Sequence, residues 1–214
     1  MSRQQPGHVH RTLRRTTAAA HHALDHHPLM QRLTGTGLTR EQYGESLAAM
    51  CRSHARLEGW VHDSRHHAAS GLGLSPRLEL LEADLVELGW PVPPVPQTLP
   101  DPSEGRAAWW GRVYVLEGSR QGSAAMARCI HSSLGDTVPC RFLGALRGAD
   151  DYRALLAILE RELAHPEALR QAVAGARAAF AAFQAELDTF ACEASDFEMR
   201  ETRHPQPIRE RDEG

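Results

Sequence analysis

Stretches rich in Ala, Leu, Glu and Arg, separated by short Pro and Gly breaks, fill this chain from Arg11 to about Phe190. Alternating apolar and polar runs are nearly absent. A half-buried strand needs that alternation, whereas a helix buries a stripe of period 3.6, so the chain is confined to helix-on-helix packing. The signals predict helices over 11–26, 39–66, 75–88, 103–132, 150–163 and 166–190. Thr12 reads as the first N-cap and Pro28 as its stop. Thr39 with Gln42 forms a capping box, Pro76 suits a first helical position, and Gly89 suits a stop. The stretch 91–102 is Pro-rich and reads as a stiff extended connector. At 214 residues, the expectation is a single all-α domain of about six to eight helices over 11–195. Residues 1–10 and 196–214 read as flexible termini.

Charge and composition remove several classes of function. Lys and Arg number 24 against 27 Asp and Glu, a formal charge of −3. No global basic field therefore draws the chain to nucleic acid, and no nucleic-acid partner is expected. No run approaches 18 apolar residues, so no membrane span is expected. The first residues lack the apolar stretch of an export signal, which makes the cytoplasm the expected location. Cys51, Cys129, Cys140 and Cys192 form no C-x-x-C pair and read as small packed residues.

Two features are costly in an ordinary helix bundle. Gly111, Gly118 and Gly122 fall on one face of the 103–132 helix, and each glycine costs about 1 kcal/mol against alanine there. Such a face admits something flat or another backbone; by spacing alone, close helix–helix packing is the better reading. The second feature is His21, which follows Leu13 and Thr17 at i+8 and i+4 and so shares their inward stripe, while His22 is turned toward solvent. An inward imidazole is either a hydrogen-bonded core residue or an axial ligand to haem iron.

The residues Leu13-Arg14-Arg15-Thr16-Thr17-Ala18-Ala19-Ala20-His21 resemble the proximal-helix segment of haem oxygenases. Tyr114-Val115-Leu116-Glu117-Gly118-Ser119 followed by Gly122 is similar to the distal helix of the family's bacterial, biliverdin-forming branch, often associated with bacteriophytochromes. Weaker echoes are 84–89, 142–144 and 175–180, so the resemblance spans about 11–190. It implies an all-helical haem oxygenase-like domain that cleaves haem, its substrate and cofactor together, to biliverdin, CO and iron. His21 would be the proximal ligand. Gly118 and Gly122 would crowd the distal face and direct cleavage to one meso carbon. Ser119 would order a distal water where other members carry an acid. Arg14 would face a haem propionate, and Thr17 and Ser123 would line the pocket. The partners implied are O2, an electron donor such as a ferredoxin or flavin reductase, and a bacteriophytochrome as bilin acceptor. No dinucleotide or flavin fingerprint appears in the chain itself.

The chain departs from that branch at Arg120, Gln121 and Ser123, where small residues and a second glycine are expected. Ser123 would narrow the pocket or add a hydrogen bond inside it. A protein that holds haem or a bilin without degrading it is therefore one alternative. A di-iron oxidase on a related scaffold is another, since His54, Glu58, His62 and His66 recur every fourth residue. A solvated His/Glu face accounts for the same spacing.

Overall fold

The computed structural model describes residues 7–94, 104–145 and 148–203, all of them in helices or the turns between helices. The helices are α1 (His8–Asp25), α2 (Pro28–Gln31), α3 (Arg40–His62), α4 (Arg65–Ser70), α5 (Leu78–Leu88), α6 (Arg106–Leu134), α7 (Arg141–Gly144), α8 (Ala149–Glu162) and α9 (Pro166–Arg203). A 3-10 turn, Arg32–Thr34, follows α2. The expected all-α class holds, and the Arg112–Leu116 segment is helical despite its strand-like composition.

Local signals place several boundaries. Thr39 Oγ1 accepts the Gln42 N–H at 3.1 Å and Gln42 Oε1 accepts the Thr39 N–H at 3.1 Å, the reciprocal box that opens α3. Gly89 closes α5 at φ 79°, a conformation that side chains with a Cβ resist. Other boundaries depend on distant residues. The first helix begins at His8, not Arg11, because the Glu160 carboxylate of α8 accepts the N–H groups of Val9 (3.0 Å) and His10 (2.9 Å). Residues 8–10 are thus helical rather than loose, and Thr12 lies inside the helix. Likewise α5 starts after Arg77, with the N–H groups of Arg77 and Leu78 received by Glu58 at 2.6 and 3.2 Å. The Ser75-Pro76 start is displaced by two residues. The third helix ends at His62, four residues early, where Ser64 Oγ caps the short α4. The last helix runs on past Phe190 and Asp196 to Arg203, so the expected flexible tail is helical through that point. Residues 1–6 and 204–214, and most of the predicted 91–102 connector, lie outside the described residues.

Two helices organise the interior. The last helix, α9, packs along α6 and also touches α1 and α3. One apolar cluster joins Leu13, Trp109, Val113, Leu116, Leu155, Leu159, Ala172 and Ala176 across α1, α6, α8 and α9. A second gathers Tyr43, Leu47, Leu81, Leu85, Ile130 and Phe142 at the other end of α6. Cys51 and Cys140 are buried as expected, whereas Cys192 is exposed; all four thiols are free.

Candidate functional site

The glycine face of α6 serves two different purposes along its length. A Cβ on Gly111 would lie 1.9 Å from the Ala172 carbonyl oxygen of α9. Reciprocally, a Cβ on Gly175 of α9 would lie 2.1 Å from the Ala108 carbonyl oxygen. Here the two backbones touch, and only glycine allows the crossing. Farther along, a Cβ on Gly118 would meet only the Tyr152 hydroxyl, at 3.9 Å, and one on Gly122 would meet nothing within 4 Å. Helix packing therefore explains Gly111 but neither Gly118 nor Gly122. Among the described residues, nothing packs on Gly122 and only the Tyr152 hydroxyl approaches Gly118, so this stretch of α6 is open where the Gly111 stretch is covered.

Arg14, Tyr114 and Tyr152 meet beside that face. Tyr114, one turn before Gly118, pairs with the Thr17 hydroxyl of α1 and packs edge-on against His10, with ring centroids 6.1 Å apart. Burial pushes the Tyr114 phenol up, and burial together with Tyr114 and Glu117 pushes Tyr152 up to about 12. Both hydroxyls therefore stay protonated near neutral pH. Arg14 is exposed and close enough to both phenols to oppose those shifts. Thr17 is buried, and its one hydroxyl proton goes to the Leu13 carbonyl at 2.8 Å.

His21 corrects the helical-phase expectation. Leu13 and Thr17 are buried and Leu24 half-buried, yet the His21 side chain is 65% exposed. Beyond Thr17 the inward side of α1 is carried by the half-buried Ala20 and Leu24, while His21 meets the edge of Phe180, whose centroid lies 5.9 Å from the His21 ring. His21 Nδ1 contacts Asp25 Oδ2 at 2.8 Å, and the neutral tautomer that suits this contact carries its proton on Nδ1 and its lone pair on Nε2. A carboxylate-backed imidazole with an open Nε2 is the form in which histidine ligates a metal. His22 is exposed as expected and stacks on His26 at 3.9 Å.

The two serines of this stretch, Ser119 and Ser123, differ from each other. Ser119 is exposed, donates from Oγ to the Leu116 carbonyl at 2.7 Å and accepts from Arg77 Nη2 at 2.9 Å. Ser123 is buried, and its hydroxyl donates to the Ser119 carbonyl at 2.9 Å. The Ser123 hydroxyl is thus turned back onto its own helix. Arg120 is likewise buried, facing Glu117 at 3.6 Å and bonded to the Ser75 carbonyl.

The expected solvated face is interior at His54 and Glu58 and half-buried at His62 and His66. His54 and Glu58 are buried, and His54 Nε2 donates to Glu58 Oε1 at 2.8 Å. Burial pushes the His54 imidazole down, while Glu58 opposes that shift. Burial alone would raise Glu58, but His54 and the N–H groups of Arg77 and Leu78 hold it below the usual carboxylate range. The dyad is thus a neutral imidazole beside a carboxylate that caps α5. His66 Nε2 is engaged by the Glu104 carbonyl at 2.9 Å. Among the described residues, no three His, Cys, Asp or Glu side chains converge as metal ligands, which removes the spacing argument for a di-iron centre there. Sequence reasoning missed Tyr114 and Tyr152 as site residues and gave no role to Arg77. For Tyr114 a signal existed in its i−4 spacing to Gly118; for Arg77 none did.

No protein-family model matches the chain. A haem oxygenase from Xanthomonas campestris pv. campestris is 34% identical over 146 residues, covering 65% of this chain and 87% of that protein. A crystal structure of the NO- and CO-bound haem oxygenase from Neisseria meningitidis superposes with a TM-score of 0.68 at 25% identity, over 86% of this chain and 92% of that one. The fold is therefore the all-helical one of haem oxygenases. With that identity across most of a curated relative, this chain belongs to the haem oxygenase family.

Proposed function

We propose that the protein binds haem between α1 and the open stretch of α6 and cleaves it oxidatively to biliverdin, CO and iron. The observation that carries this reading is the uncovered Gly118–Gly122 face on a helix whose neighbouring glycine, Gly111, is tightly covered. His21 supplies the iron ligand through its free Nε2, with Asp25 orienting the ring. Arg14 and the protonated Tyr114 hydroxyl sit where a guanidinium and a phenol can bind the propionates. The backbone at Gly118 and Gly122 approaches the macrocycle directly and restricts what can stand on that side, which is how a protein without side chains there selects one cleavage position. Ser119 contributes a fixed hydroxyl beside the two glycines.

Bound haem supplies the iron that activates O2 and also the carbon skeleton that is cleaved. Electrons come from an external ferredoxin- or flavin-type donor, since the chain carries no dinucleotide or flavin motif. The membership of the chain in the haem oxygenase family supports this reading, as does the fit of a flat ring to the smooth face.

The test is a haemin titration followed by reduction in air with ascorbate or a ferredoxin reductase system. A Soret band should form, then give way to bilin absorbance with release of CO. Haem that binds and is recovered intact would leave the non-catalytic binding reading in its place.

A further inference from the structure

Ser119 has only one free position on its hydroxyl, and that position accepts. A serine hydroxyl offers one donor and two acceptor sites. The proton is committed to the Leu116 carbonyl at 2.7 Å, and one lone pair is committed to Arg77 Nη2 at 2.9 Å. What remains on this exposed side chain, beside the uncovered Gly118 and Gly122, is a single lone pair.

We propose that Arg77 is a positioning residue: it locks Ser119 as a pure hydrogen-bond acceptor, so that any water held there points its second hydrogen onward to the ligand on the open face. Arg77 lies outside the distal helix and is joined to it through space. Its backbone N–H is anchored on Glu58 Oε1 at 2.6 Å, and its guanidinium carbon lies 4.8 Å from the centroid of the Phe142 ring. The residue is 1% exposed, so the guanidinium has little freedom to leave. Burial and the nearby Arg120 draw its pKa down to about 10, with Glu58 and Glu117 opposing, so it keeps its charge near neutral pH.

The Nε and Nη1 groups of Arg77 meet no protein acceptor, leaving Ser119 Oγ as the one side-chain oxygen bonded to the guanidinium among the described residues. A charge-assisted donor forms a stronger bond than a neutral one and cannot reverse its polarity, since arginine has no acceptor. The direction therefore runs from Arg77 to Ser119 to Leu116. A water on the free lone pair must give one hydrogen to Ser119 and is left with the other as a donor. Donors aimed at the place where negative charge develops are what a reductive oxygen chemistry needs. For haem as the occupant, this inference rests on the function proposed above.

The experiment compares Arg77→Met, Arg77→Lys, Ser119→Ala and the double variant Arg77→Met/Ser119→Ala as ferrous CO complexes, reading the C–O stretch by infrared spectroscopy. Arg77→Met should move the band to higher frequency, as should Ser119→Ala, and Arg77→Lys should return most of the way to the parent. The double variant should move no farther than either single one, because Arg77 acts through Ser119. Additive shifts, or no shift in Arg77→Met, would overturn the proposal.

The haem-free protein gives an independent reading. The guanidinium N–H resonances of Arg77 should move in Ser119→Ala, and unchanged resonances there would also overturn it. If the parent protein takes up no haem, the proposed function fails at that step, and the resonance test alone decides the Arg77–Ser119 link.

Discussion

Gly111 and Ala172 are in backbone contact: a single added carbon on the glycine would sit 1.9 Å from the alanine's carbonyl oxygen. Eleven residues along the same helix, a Cβ on Gly122 would meet nothing within 4 Å among the described residues. The two glycines should therefore respond in opposite ways to substitution. Gly111→Ala must push α6 from α9 and should cost about 1–3 kcal/mol in denaturant unfolding. Gly122→Leu should leave the haem-free protein as stable or more so, by about 0.5–1 kcal/mol from helix propensity. Haem affinity should fall in Gly122→Leu, measured by Soret titration, with far-ultraviolet circular dichroism unchanged. Undiminished affinity would mean that the macrocycle lies elsewhere.

The His21–Asp25 pair leads to a second expectation. Because His21 is 65% exposed, His21→Ala should change the stability of the haem-free protein by no more than about 0.5 kcal/mol. The haem complex should nevertheless lose the spectrum of a histidine-ligated iron, with added imidazole restoring it. Asp25→Asn should retain ligation with weaker binding, since the ring loses its charged partner. A parent-like spectrum in His21→Ala would shift attention to His22 or His26.

The pH dependence of folding follows from the buried histidines. Burial holds His54 below its ordinary 6.5, and burial likewise lowers His10 and His62. Below that value the unfolded chain takes up protons that the folded chain excludes. Stability is therefore fully present above it and declines as pH falls toward the depressed folded values. Thermal melts should show Tm dropping between about pH 7.5 and about pH 5.5, and His54→Gln should flatten part of that slope. A Tm that rises on acidification would contradict the buried neutral state.

Ser123→Gly distinguishes the two distal serines. With its hydroxyl turned onto the Ser119 carbonyl, Ser123 is expected to leave the open face clear. The substitution should lower stability by roughly 0.5 kcal/mol through helix propensity and should leave haem turnover unaccelerated. Faster turnover would show that the side chain reaches the ligand after all.

Glu160 tests how α1 is held. Its carboxylate receives the N–H groups of Val9 and His10, so Glu160→Ala should cost about 0.5–2 kcal/mol, the range for loss of an N-cap. Hydrogen exchange should speed up at the start of α1 while the α6 amides remain protected. Uniform protection of α1 in the variant would mean that another group caps it.

Much of the architecture was written locally. The Thr39–Gln42 box, the Gly89 stop and the helical Arg112–Leu116 segment each depend on residues within a few positions, and the chain carries them wherever it folds. The ordered resemblance from Leu13 to Gly122 also needed no coordinates. What the sequence could not decide is which parts of a helical face are covered. A period of 3.6 places Gly111, Gly118 and Gly122 on one side of α6, but only the path of α9 covers the first and leaves the others open. The same holds for Leu13, Thr17 and His21, which share a phase and differ in burial, while Leu24 farther along is again half-buried against the core. His54 and Glu58 read as a solvated pair until α5 supplied the N–H groups that their carboxylate receives. Arg77 acquired its place beside Ser119 from a contact spanning 42 residues. Helical spacing is intrinsic to the chain, whereas burial depends on which other element arrives, and that is set by packing across the whole fold.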